Sequence, residues 1–168
     1  LLFYSAIACK RTKEGQDAID HCITKTAENY TKELWEKVEA YKTTEFTPFD
    51  PGIKRTEASI EAPDGTKFRV AKGAPQVMLN IATNKQEIED ETMEAIQDLG
   101  AAGYRTLGVS LGDEEGNWTM VGLLAIADPP RHDTIEVIRK AQALGVKVIM
   151  ITGDQTAIAR EVGRQIGT

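Results

Sequence analysis

The run Asp128-Pro129-Pro130-Arg131 limits how this chain folds more than any other feature. Each proline fixes its own φ and pushes the residue before it toward extended geometry, so residues 128–130 form a stiff, nonhelical strap. The texture of the sequence differs on its two sides, and the strap therefore reads as a domain boundary between residues 1–127 and 128–168. Before it, residues 1–10, 16–28 and 31–40 carry helical patterning, with Trp35 and Val38 supplying the apolar side of the third segment. Residues 41–46, 54–61 and 66–71 then show β-branched residues and partial alternation, and Pro63-Asp64-Gly65 supplies a tight turn between the last two. Pro75 opens a helix to about residue 81. Ile88, Thr92, Ala95, Ile96 and Leu99 line one face of another that Gly100 and Gly103 end. Residues 105–111 and 117–127 read as two more strands around a hairpin-length connection.

Past the strap the pattern is that of an α/β layer. Asp133 and Glu136 mark a helix start, and Ile135, Ile138, Ala141 and Leu144 form its apolar stripe. Residues 146–151 are a nearly unbroken apolar strand, and residues 155–166 return to helix with Ile158, Val162 and Ile166 on one face. The expected fold class is α/β: a twisted antiparallel sheet with flanking helices, followed by a partial Rossmann-like unit.

Of 168 residues, 41% are hydrophobic, enough to bury a core, and the net charge of −6 argues against a nonspecific electrostatic grip on nucleic acid or anionic lipid. No run reaches the roughly 20 apolar residues that span a bilayer, so direct membrane insertion by this segment is not expected. Two cysteines, Cys9 and Cys22, lack metal-site spacing and read as reduced thiols. The first residue is Leu1, and both ends are expected to continue into a longer chain.

Several residues carry candidate chemistry, each with an ordinary alternative. Thr152-Gly153-Asp154 lies at the carboxyl end of the 146–151 segment and at a helix N-terminus, a place that suits a phosphate; the alternative is a capping box between Thr152 and Gln155. Asp128 and Arg131 bracket the strap and suit ribose hydroxyls and phosphates, or form a surface ion pair. Lys72 ends a strand before Gly73, which permits a sharp reversal, so its ammonium projects toward phosphate or simply into solvent. Phe49, held between Pro48 and Asp50-Pro51, offers a face for an adenine or fills a core. Asp17, Lys54 and Arg105 are unremarkable in isolation. No glycine spacing fits a dinucleotide fingerprint, and Lys72 precedes its glycine rather than following one as in a P-loop.

In order and spacing these motifs resemble the P-type ATPases: Gln16-Asp17-Ala18-Ile19, Pro48-Phe49-Asp50-Pro51 with Lys54, Lys72-Gly73-Ala74-Pro75, Gly103-Tyr104-Arg105, Asp128-Pro129-Pro130-Arg131 and Met150-Ile151-Thr152-Gly153-Asp154. The run on to His132-Asp133 is most similar to the plasma-membrane proton pumps of fungi and plants. The resemblance implies that Phe49 stacks on adenine, that Lys54, Lys72 and Arg105 line the nucleotide cleft, and that Asp17 stands where many members have a glutamate on the adenine side. It also implies that Thr152 is a phosphate-contacting hydroxyl and that Asp154 neighbours the phosphates. The family's phosphorylated aspartate, in Asp-Lys-Thr-Gly-Thr, and its magnesium-holding Gly-Asp-Gly-x-Asn-Asp do not occur here.

The resemblance thus implies a nucleotide-binding domain, a hinge and part of a haloacid-dehalogenase-like phosphorylation domain, from the cytosolic side of an integral membrane protein of the plasma membrane. Its ligands would be ATP and Mg2+, and its partners the remaining phosphorylation, actuator and transmembrane domains. Two competing readings are a haloacid-dehalogenase-like phosphatase, which would need an Asp-x-Asp pair after an apolar strand that this sequence lacks, and a non-catalytic nucleotide-binding or regulatory module.

Overall fold

The computed structural model of the protein describes residues 1–12 and 14–167. Three helices open the chain, α1 (Leu2–Ile7), α2 (Ala18–Tyr30) and α3 (Lys32–Ala40), on the segments where the patterning places them. Asp17 caps α2 by accepting from the Asp20 amide at 2.7 Å, and Thr31 stops α2 in an extended conformation while its hydroxyl caps α3 at Leu34. Arg11 ties the loop after α1 to the α3–β1 junction, donating to the carbonyls of Val38 and Tyr41 at 2.6 Å each and to the Thr43 hydroxyl at 2.8 Å. Carbonyls left over at the end of α3 are thereby satisfied.

A five-stranded sheet follows in sequential order: β1 (Lys42–Asp50), β2 (Arg55–Glu61), β3 (Lys67–Gly73), β4 (Arg105–Gly112) and β5 (Trp118–Ile126). β1, β2, β3 and β4 pair antiparallel with their neighbours. The expected Pro63-Asp64-Gly65 turn is present, closed by the Ala62 amide on Thr66 O at 2.8 Å. β1 runs on to Asp50, past the predicted end at residue 46, because it is an edge strand with register shifts on both sides of Thr47, so Pro48 removes no ladder bond that the sheet needs. Between β3 and β4 the chain forms α4 (Pro75–Ile81), opened by Pro75, and α5 (Lys85–Ala101), which runs through Gly100.

Alternation sorts the sheet into two faces. Ala58, Ile60 and Val70 face α1–α3 and pack with Ala6, Ile7, Ile23, Ala27 and Val38. Full burial of each large aliphatic side chain there contributes about 1.5–3 kcal/mol. On the other face Glu57 is clasped by Arg55 and Arg69, and the Arg69 guanidinium lies 5.2 Å from the Trp118 ring centroid.

The chain divides into two compact units, residues 1–92 with 107–124, and residues 93–106 with 125–168, and α5, β4 and β5 run from one into the other. The first holds the helices α1–α3 and most of the sheet. The second holds α6 (Thr134–Ala143) and α7 (Thr156–Ile166), with Ile96, Ile138, Ile158 and Ile166 buried.

Two expectations for the second unit are corrected. Residues 146–151 form no strand: they join no ladder, and Ile149 and Ile151 are 68% and 94% exposed. A lone apolar segment has no neighbour to take its backbone donors and acceptors, so hydrophobicity alone does not make it a strand. The Thr152–Gln155 capping box is also absent. Gln155 makes no side-chain cap bond, and the Thr152 hydroxyl accepts from the Asp154 amide at 3.1 Å and donates to Asp154 Oδ2 at 3.0 Å.

Gly73 fixes where β3 meets the β1–β2 turn. A Cβ there would stand 2.4 Å from Lys54 O and 2.5 Å from Arg55 Cβ, atoms with no flexible end to move aside. Gly73→Ala is expected to lower stability by about 1–3 kcal/mol, read as a lower urea midpoint with an unchanged slope.

Candidate functional site

The first unit contains a hollow of about 410 Å³ lined by Lys10, Gly15, Asp17, Asp20, Phe46, Pro48, Phe49 and Thr56. β1 supplies one wall: the turn rigidified by Pro48 and Pro51 leaves Phe49 56% exposed, and Phe46 lines the same wall. The N-terminus of α2 and the loop before it supply the other. Wider grooves run along β1 beside Trp35, about 810 Å³, and between the two hairpin turns, about 1030 Å³; neither combines an exposed aromatic face with a buried charge.

Asp20, at the floor of the hollow, is held from behind by an ion pair. Lys72 Nζ stands 2.6 Å from Asp20 Oδ1, and the two side chains are 4% and 2% exposed. The ammonium also donates to Thr56 Oγ1 at 3.0 Å, and the second carboxylate oxygen of Asp20 accepts from the Lys10 amide at 2.7 Å. Lys72 was expected to project from a strand end. It does stand near the end of β3, one residue before Gly73, but it points to the core face, on the same side as Phe68 and Val70 and opposite Thr56 of β2. Breaking a buried pair strands the remaining charge, which is why such a pair persists once formed. Cys9 lies close by, and burial pushes its thiol up; its Sγ donates to Ser5 O at 3.2 Å. Cys9 and Cys22 are free.

The first unit brings Phe49 and Asp17 to the hollow and sets Lys72 behind its floor. Asp17 spends one carboxylate oxygen on the α2 cap. Asp20 is the residue that the sequence reading missed, although a signal was present. Asp20, Ile23, Thr24 and Ala27 form one buried helical stripe. Lys54 sits in the β1–β2 turn with φ +53°, its amide on Asp50 O at 2.7 Å and its carbonyl accepting from Ala74 N at 3.0 Å, so Gly73 and Lys54 are backbone neighbours.

Arg105, Asp128 and Asp154 meet in the second unit. The Arg105 guanidinium forks onto both oxygens of Asp154 at 2.9 Å and reaches Asp128 Oδ2 at 3.3 Å. Hydrogen bonding from Arg105 holds the Asp154 carboxyl below its ordinary range, against the opposing cost of desolvation and with help from the Thr152 hydroxyl. Arg131 stands apart, 83% exposed and 3.5 Å from Asp133. Gly153 has open space where a Cβ would sit.

The model of the haloacid dehalogenase-like hydrolases matches residues 8–168. The chain belongs to that family. Among individual relatives it is 39% identical over 171 residues to plasma membrane ATPase 1 of Schizosaccharomyces pombe, covering 99% of this chain and 18% of the relative. It is 40% identical over 166 residues to a probable proton ATPase 1A of Leishmania donovani, covering 98% and 16%, and 39% identical over 167 residues to a putative cation-transporting ATPase of Methanocaldococcus jannaschii, covering 99% and 20%. The resemblance to plasma-membrane proton pumps carried by the motifs therefore holds along nearly the whole chain, and the chain spans about a fifth of the length of these relatives or less.

Two outcomes follow from this geometry. Asp20→Asn and Lys72→Met are each expected to cost about 3 kcal/mol or more, while the double variant costs clearly less than their sum, a coupling that urea denaturation of all four proteins measures. Asp154 is expected to titrate below an exposed aspartate by carboxyl-carbon NMR, and Arg105→Gln to return it upward. Because its folded value is depressed, its contribution to stability is present above the unfolded aspartate value and lost as pH falls through the folded one.

Proposed function

We propose that this chain is the ATP-binding portion of a proton-exporting P-type ATPase. Residues 1–127 form its nucleotide-binding domain, and residues 128–168 the hinge and first part of its phosphorylation domain. ATP is captured with adenine against Phe49, and its γ-phosphate is delivered to an aspartate outside this chain. The observation that carries the reading is the exposed Phe49 at the mouth of a hollow floored by Asp20 and Thr56, with Lys72 paired to Asp20 from behind. A concave site with an aromatic wall and a few fixed polar groups suits a purine.

Within this reading Phe49 stacks on the base, while Asp20 and Thr56 offer polar atoms at the floor. Lys72 holds Asp20 in place and neutralises it, Asp17 caps the helix that carries Asp20, and Gly73 keeps the turn bearing Lys54 against β3. Arg105 takes a phosphate oxygen in exchange for a carboxylate oxygen of Asp154 or Asp128. Thr152, Gly153 and Asp154 serve the transferred phosphoryl group, and Arg131 serves the hinge. Phosphoryl transfer is chiefly positioning and charge neutralisation, so this chain contributes capture and delivery, and alone it turns nothing over. Within the same reading Mg2+ accompanies ATP and would be held largely by residues outside this chain.

The names of the relatives, plasma membrane ATPase, proton ATPase and cation-transporting ATPase, support a pump, and the Asp128-to-Asp133 run supports the proton. The names of the plasma membrane ATPases support a cytosolic segment of a plasma-membrane protein; among the described residues no helix is long and apolar enough to cross a membrane. Displacement of a fluorescent nucleotide by ATP tests the reading. Phe49→Ala removes an exposed ring without opening the core and is expected to weaken ATP by about 5- to 100-fold, the worth of one base–aromatic stack. Wild-type affinity in that variant would defeat the reading.

A further inference from the structure

Lys72 brings no free charge to the hollow, because its ammonium is already held by Asp20. The ionisable residues that line the hollow are Lys10, Asp17 and Asp20. With Lys72 behind the floor, they make two cations against two anions; without Lys10 the balance falls to one net negative charge. A nucleotide carries its polyphosphate into that field. We infer that Lys10 is a further ligand-contacting residue of this hollow, meeting an anionic oxygen of the polyphosphate, an inference that rests on the ATP reading given above.

Three observations place Lys10 for this. Its backbone is fixed on both sides, the amide on Asp20 Oδ2 at 2.7 Å and the carbonyl accepting from Gln16 Nε2 at 2.6 Å. The side chain therefore springs from a set point on the rim. Its ammonium lies over Gly15: a Cβ built on that glycine would stand 2.8 Å from Lys10 Nζ, and Gly15 lines this hollow and not the neighbouring groove along β1. Gly15 has φ +70°, a conformation that glycine adopts without strain, so the loop both turns there and leaves room for the ammonium. Finally, no carboxylate among the described residues pairs with Lys10, whose ammonium is left to a ligand. A compact ammonium on a flexible stem suits a phosphate oxygen.

The test compares ATP and adenosine as competitors of a fluorescent nucleotide on the full chain, wild type against Lys10→Gln, Lys10→Arg and Lys10→Glu. Because the structural links of Lys10 run through its backbone, the urea midpoint of Lys10→Gln should match wild type. Expected are an ATP affinity about 5-fold lower in Lys10→Gln, a larger loss in Lys10→Glu, near wild-type binding in Lys10→Arg, and adenosine affinity changed by less than about 2-fold throughout. The ATP difference should shrink as NaCl is raised to about 0.5 M. Unchanged ATP affinity in Lys10→Gln, or equal losses for ATP and adenosine, would overturn the role of Lys10 while leaving the nucleotide reading in place. A wild-type chain that binds neither competitor removes both.

Discussion

The Asp20–Lys72 ion pair is the interaction on which the rest of the first unit depends. Taking two charges out of water costs several kcal/mol for each ion, and that cost is met only where geometry is close and the remaining polar atoms are used. Here the 2.6 Å contact is supplemented by the Lys10 amide on the carboxylate and the Thr56 hydroxyl on the ammonium. The pair ties α2 to the C-terminal end of β3, and through Asp20 it also fixes the loop before α2. Both walls of the hollow are thereby referred to one buried point. Its second effect is electrostatic: a lysine that would have been free for a ligand is committed to structure, and the charge that the hollow presents is decided by residues at its rim.

The second unit shows the same economy at an exposed site. Arg105 is held by two carboxylates, with Asp154 engaged on both oxygens and steadied by Thr152. A bidentate carboxylate occupies a guanidinium much as a phosphate would, since both present paired oxygens to its fork. An incoming phosphate therefore competes with groups of the protein itself, and exchange rather than simple addition describes its arrival. The pairing also sets Asp154, which the Thr152–Asp154 turn carries, at the foot of α7 without a capping box.

How much of this could be read in advance depends on whether a signal is local. The helices α2 and α3, the Pro63-Asp64-Gly65 turn and the start of α4 at Pro75 follow from caps, turn residues and periodicity, and they stand where the sequence puts them. Phe49 was legible as an aromatic held out by flanking prolines. Lys72 was misread because a lysine near a strand end is weighed by its chemistry, whereas the alternation Phe68, Val70, Lys72 already put it on the core face. Asp20 was passed over for the same reason in helical form, since a charged residue on the stripe of Ile23 and Ala27 reads as an interruption until its partner is known. Residues 146–151 failed differently. Their apolar run is real, but a strand is a relation between segments, and no local pattern supplies the neighbour.

The central claim is that one small hollow, walled by Phe49 and floored by Asp20 and Thr56, is where a purine nucleotide binds. Backbone amide NMR of the labelled chain during titration with ATP measures this most directly. The account predicts that the largest shifts gather at Lys10, Gly15, Asp20, Phe46, Phe49 and Thr56. Shifts confined to the Trp35 groove or the hairpin turns, with those six amides unmoved at saturation, would contradict it.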